Sequence, residues 1–149
     1  MATCLRLTRK RAAVDPGVAE ALFNEEVAAM SSRARYGRGG WLIVSASFPD
    51  LIVELPHPSG ARRRFRFRCD GWDEQPPSVK SVDGDGMDLV GQPTGDLFMG
   101  LNGGYGLCRP GTREYHHHHM ENPWANHRGN TGLDRIVVRV ASAYRKANA

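Results

Sequence analysis

Residues 62–69 read RRRFRFRC, and this alternation confines the fold more tightly than any other stretch of the chain. In an extended backbone successive side chains point to opposite faces, so Phe65, Phe67 and Cys69 share one face and Arg64, Arg66 and Arg68 the other. A sheet covered on one side and wet on the other needs that arrangement, and antiparallel sheets commonly have it. Upstream, WLIVSAS at 41–47 and LIVELPH at 51–57 are rich in strand-forming residues, and FPD and PSGA break the pattern after each. The expectation is three consecutive antiparallel strands, a meander, with Cys69 pointing inward. His57, between two prolines, reads as turn surface.

Helical patterns flank the meander. In VDPGVAEALFNEEVAAM, Asp15 is a natural N-cap, Pro16 suits the first helical position, and Ala19, Phe23, Val27 and Met30 recur every three or four residues. A first helix over about 16–31 follows, ended by the glycines of YGRGG. Near the end, TGLDRIVVRVASAYRKA places Leu133, Ile136, Val137, Val140 and Tyr144 on one face, with Thr131 and Asp134 spaced as a capping box. Its C-terminal end is cationic, as the helix dipole prefers. The order of helix, meander, glycine-rich loop and helix is that of an α+β domain.

The 149 residues suit one domain, residues 16–149, behind a basic N-terminal arm at 1–15. Such a length buries enough surface to fold without a metal or disulfides. Cys4, Cys69 and Cys108 are odd in number, widely spaced and follow no signal-peptide pattern, which points to a reduced, cytoplasmic setting. The longest apolar runs fall far short of the ~20 residues of a membrane span. A net charge of +4 attracts acidic partners without naming one. The arginine face of 62–68 has the forked donors that grip phosphates, but a solvated sheet face shows the same pattern, so nucleic acid is not an expected partner.

The remaining chemistry gathers late in the chain. Eight glycines fall between Gly84 and Gly106, where the pattern predicts a long surface loop with one short strand around MDLV at 87–90. GLCRPGTREYHHHHMENPW follows at 106–124. Cys108, with Arg109 beside it and Arg113 five residues on, has the cationic neighbours that favour a thiolate. The run His116–His119 admits several readings. If it is extended, His116 and His118 project to one side, and with His127 they supply three imidazoles for zinc. Water, Glu114 or the Cys108 thiolate would then take the fourth position, the last of these in conflict with a free nucleophile. Alternatively one imidazole acts as a base toward Cys108, or the run is a solvated polar loop.

Three motifs together resemble the ubiquitin-conjugating enzymes, the UBC fold, and in particular their divergent bacterial members. GWDEQPPSVKSV, with Pro76 and Pro77, is similar to the family's double-proline segment; NGGYGLCRPG to the stretch leading into its active-site cysteine; NPWANHRGNTGLDRIVVRVASAY to its tryptophan, loop and amphipathic helix. The resemblance spans about residues 16–145. The family's His-Pro-Asn tripeptide is absent, and the interval from Cys108 to Trp124 is longer than the family's.

The resemblance implies a UBC-like domain with an N-terminal helix, antiparallel meander, glycine-rich active-site flap and C-terminal helix. It implies that Cys108 carries a ubiquitin-like modifier as a thioester, with an activating enzyme and the modifier as partners and no cofactor for the transfer itself. Asn102 becomes the first candidate for the donor that steadies the tetrahedral oxyanion, with Asn122 or Asn126 behind it. A zinc-binding, non-catalytic protein of the same fold, using His116, His118 and His127, is the alternative. A silent adaptor binding an acidic partner through Arg64 and Arg66 is the third.

Overall fold

The computed structural model describes residues 15–37, 40–87, 98–101 and 104–147. Helix α1 (Pro16–Ser31) precedes strands β1 (Leu42–Ser47), β2 (Asp50–Pro56), β3 (Arg62–Arg68), β4 (Ser78–Val82), β5 (Phe98–Leu101) and β6 (Gly104–Leu107). A short helix α2 (Arg113–His118), a 3-10 turn at Trp124–Asn126 and helix α3 (Leu133–Lys146) complete the α+β fold. The strands form one sheet ordered β1-β2-β3-β4-β6-β5, with every neighbouring pair antiparallel.

The meander follows the period-two reading. Leu51 faces Phe67 and Val53 faces Phe65 across β2 and β3, and Phe67 faces Val79 across β3 and β4. All five are fully buried, as is Cys69. Against this inner face lie Ala19, Phe23 and Met30 of α1 and Leu133, Ile136, Val137, Val140 and Tyr144 of α3, the stripes that the helical periodicity marks out. Burial of these side chains, each contributing about 1.5–3 kcal/mol, supplies the main drive for folding. On the outer face, Arg62 and Arg64 bind the two oxygens of Glu54 at 2.5 and 3.0 Å. They hold the Glu54 carboxyl below its ordinary pKa range. Arg64 also donates to the Gly84 carbonyl. An exposed ion pair of this kind contributes little to stability, but it engages Arg64, half of the pair expected to serve an acidic partner.

The helix ends follow two different rules. Asp15 caps α1 as expected, its carboxylate accepting the Gly17 N–H at 2.8 Å. At α3 the expected capping box does not form: the N-cap is Gly132, with no side-chain cap, and Thr131 is buried. Glu26 of α1 replaces it, one carboxylate oxygen accepting the Leu133 N–H at 3.0 Å while the other accepts the Trp72 indole N–H. A Cβ on Gly132 would stand 2.9 Å from that first oxygen, so only glycine admits the contact. Asp134, freed from capping, accepts the Tyr36 hydroxyl at 2.7 Å and pairs with Arg33 and Arg35. Burial raises the Glu26 carboxyl above its ordinary pKa range against these hydrogen bonds.

Four elements go beyond the sequence reading. The segment after the proline pair forms β4, the span read as a glycine-rich loop contains the antiparallel pair β5 and β6, and His116–His118 lie in α2 with His119 as its C-cap. Of the strand expected around 87–90 only Met87 is described, and it is not in a strand; residues 1–14 of the basic arm, Cys4 among them, lie outside the described residues. No helix of the described residues is long and apolar enough to cross a membrane.

Replacing Glu26 by Ala leaves two donors, one of them on buried Trp72, without an acceptor. Urea unfolding should show a loss of about 2–3 kcal/mol. The exposed neighbour Glu25 serves as control, and its substitution by Ala should change stability by less than about 0.5 kcal/mol.

Candidate functional site

Cys108 is the first residue after β6, and β6 lies beside β4 with Gly106 opposite Lys80. The chain then turns sharply into α2, and Thr112 ties that turn. Its hydroxyl donates to the Leu107 carbonyl at 2.7 Å and, as N-cap, accepts the Tyr115 N–H at 3.2 Å. Gly111 sits within the turn at φ +102°, 3.1 Å from Ile136 of α3 for any added Cβ. A side chain there would be strained in its backbone and pressed against the core.

Helix α2 is joined to the proline segment at two points and to Asp70 at a third. The Arg113 N–H donates to the Pro77 carbonyl at 2.8 Å, its guanidinium reaches the Pro76 carbonyl at 3.3 Å, and the same group pairs with Asp70. Arg113 is therefore engaged with the proline segment and Asp70, and is not the free cation beside Cys108 that the sequence led us to expect. Glu114 turns inward, 7 % exposed. It accepts the Ser78 hydroxyl and, at 3.2 Å to each oxygen, the Val79 N–H. A Cβ on Gly106 would come within 2.3 Å of the Glu114 side chain, so the glycine of β6 is the space through which the carboxylate passes. Burial raises the Glu114 carboxyl above its usual pKa range, with the Ser78 and Val79 hydrogen bonds opposing.

These ties settle the state of Cys108. Its side chain is 8 % exposed, and desolvation raises the thiol pKa, with Arg109 lowering it and Glu114 raising it further. The expected open, electropositive flap is thus corrected: the turn folds back on α3, and the nearest buried carboxylate disfavours the thiolate. Cys108 is nevertheless shallower than Cys69, which is wholly enclosed within the apolar core and whose thiol is pushed much higher by burial. Of the two described cysteines, Cys108 alone stands at a surface.

The histidines divide. His116 is buried, with Nε2 accepting the Gly111 N–H at 3.0 Å and Nδ1 at 2.7 Å from the Asn122 carbonyl. An N–H donor on one nitrogen and a carbonyl acceptor on the other require the neutral Nδ1–H tautomer. Burial first, then His127, Arg139 and His119, lower its pKa and keep it neutral. His116 thereby braces the turn after Cys108. His127 lies beside it, ring centroids 5.1 Å apart, and its Nε2 is 2.8 Å from Asn122 Oδ1. Because the run is helical and not extended, His118 leaves the His116 face and is exposed with His117. The structure brings His116 and His127 together but not His118. Among the described residues no group of three or more His, Cys, Asp or Glu side chains is arranged to hold a metal ion.

Asn102, the first oxyanion candidate, lies outside the described residues. Asn122 has its amide between the Tyr115 hydroxyl and His127, and Asn126 is exposed. Trp124 packs against Trp72 and His116 and donates to the Asp73 carbonyl at 2.8 Å. Sequence reasoning named Glu114 only as a possible fourth zinc ligand and missed Thr112. For Thr112 a signal existed, since PGTRE is a helix start, a threonine after Pro-Gly with an acid in the first turn. Glu114 has none, because nothing local tells that it points inward. Compared with known proteins, the chain matches no protein-family profile and no curated protein.

Two outcomes follow from this geometry. Folded protein at pH 7 should react with iodoacetamide at Cys108 more slowly than a free cysteine peptide, with the rate still climbing above about pH 9, and Cys69 should stay unmodified until unfolding; peptide mass mapping against pH reads both. A carboxyl whose folded pKa is raised contributes most below its unfolded pKa and loses that contribution as pH rises through the folded value. Relative to wild type, the Tm of Glu114→Gln should therefore climb as pH rises above the ordinary carboxyl range of about 4.

Proposed function

We propose that this chain is a UBC-like protein of a ubiquitin-like conjugation system, with Cys108 as the sulfur that takes the modifier. The observation that carries the reading is the placement of Cys108. It directly follows the strand beside β4, and the helix that comes next is bound at its N-terminus to Pro76 and Pro77. The order of helix, meander, proline pair, cysteine and amphipathic helix is the one that the resemblance implies, and these ties draw its middle terms into one neighbourhood.

In this reading the Cys108 thiolate attacks the thioester carbonyl that joins the modifier to its activating enzyme. A new C–S bond forms, the activating enzyme's thiolate leaves, and no oxidation state changes. An amine later attacks the Cys108 thioester, and the Cys108 thiolate departs. Arg109 is the residue that favours the charged sulfur. Asn102 is the oxyanion donor in this reading, as the resemblance implies, while the Asn122 side chain is engaged by Tyr115 and His127.

A second reading, a non-catalytic scaffold of the same fold, is favoured by one observation, the burial and raised pKa of Cys108. Zinc on His116, His118 and His127 is the weakest, since both nitrogens of His116 are already engaged and His118 faces elsewhere.

Wild type and Cys108→Ala should be incubated with an activating enzyme, a ubiquitin-like modifier and ATP, and resolved with and without reductant. The first reading expects an adduct on wild type that reductant removes and that Cys108→Ala lacks. A wild type that binds the modifier or the activating enzyme without ever forming the adduct would establish the scaffold instead.

A further inference from the structure

The turn between β2 and β3 and the last two turns of α3 line a cleft of about 470 Å³. One wall is Trp41, Pro56 and the ring of His57, and the other is Val138 and Ala141, with Arg145 among the lining residues. That volume lies in the range of small-molecule sites, which are mostly apolar with a few placed polar groups.

The walls are held in place before any ligand arrives. Trp41 receives the edge of Tyr36 at 5.7 Å and has the Arg35 guanidinium 5.8 Å from its ring centroid. His57, contrary to its reading as turn surface, is locked at both nitrogens. Nδ1 contacts the Ser59 hydroxyl at 2.8 Å and Nε2 the Ala147 carbonyl at 2.6 Å, with its ring 5.0 Å from that of Tyr144. Both histidine nitrogens being engaged, the ring serves the cleft as a flat apolar surface. Val138 and Ala141 are carried by α3, whose buried stripe, Ala141 included, fixes the helix to the core.

The charge is one-sided. No acidic residue lines the cleft. The neighbouring Arg62 guanidinium is engaged by Glu54 and by the Gly40 carbonyl, but Arg145 is exposed and has no ion-pair partner among the described residues. Lys146 beside it helps to offset the negative end of the α3 dipole. A guanidinium fork matches a carboxylate with two parallel hydrogen bonds.

We propose that this cleft binds an organic carboxylate with a flat apolar body, the body between Trp41 and α3 and the carboxylate on Arg145. This site is independent of Cys108 and of the conjugation reading. The carboxylate belongs either to a free small acid or to the C-terminal end of a peptide with an aromatic last residue, and the two share the same recognition.

The test is a ¹H–¹⁵N NMR titration of the full chain with 2-naphthoate. We expect shifts confined to the Trp41 indole, the turn around His57 and the last two turns of α3, and about tenfold weaker binding, or worse, for 2-naphthamide and for Arg145→Gln. Arg145 is exposed, so this variant should retain the wild-type spectrum elsewhere. A short acetylated peptide ending in phenylalanine, against its C-terminal amide, separates the sources: tighter binding of the free-acid peptide than of naphthoate assigns the site to a chain end, and the reverse to a small acid. Unmoved resonances at millimolar naphthoate, or equal affinity for acid and amide, would overturn the proposal.

Discussion

The Glu114 carboxylate is the contact on which the arrangement around Cys108 depends. It leaves α2, passes over Gly106 of β6 and ends on the Ser78 hydroxyl and the Val79 N–H at the start of β4. One side chain thus joins the helix after the cysteine to the two strands that flank it. Desolvating a carboxylate costs several kcal/mol unless hydrogen bonds compensate, and the raised pKa of Glu114 is the residue of that cost. Arg113, one residue earlier, completes the clasp through Asp70 and the proline carbonyls.

Glu26 does the same work for α3. Both carboxylates are held by one backbone N–H and one side-chain donor, both lie against a glycine that any Cβ would close, and both are raised by burial. Each places a helix N-terminus: Glu114 that of α2 against β4, Glu26 that of α3 against α1 and Trp72. The aliphatic core supplies most of the stabilisation but is tolerant of small shifts. Hydrogen bonds to a buried carboxylate are directional, and they determine where the helices begin.

The same ties set a tension at Cys108. Thr112, Gly111 and His116 bind the turn closely enough that the thiol is nearly covered, and Glu114 adds negative charge behind it. A nucleophile needs the opposite conditions, exposure and a lowered pKa. His116 contributes as a neutral brace: a protonated ring would present a second N–H to the Gly111 N–H in place of an acceptor. The histidine cluster thus serves the turn from within, through His116 and His127, while His117 and His118 face solvent.

What the sequence determined by itself was whatever depends on local periodicity: the Phe65, Phe67 and Cys69 face of the meander, the Ala19, Phe23 and Met30 stripe of α1, and the inner face of α3. A period of 2 or 3.6 fixes which side chains share a face, and hydrophobicity then selects the face that is buried. It also singled out Cys108 and the histidine run, but not their state. The tertiary structure decided that β4, β5 and β6 are strands, since short glycine- and proline-rich segments become strands only when a neighbour supplies hydrogen-bond partners. It decided likewise that α3 is capped by Glu26, 107 residues from Leu133, and that Glu114 is buried while His118 is not. A hydrogen bond between distant residues leaves no periodic trace, and whether a thiol is covered depends on every element that closes around it.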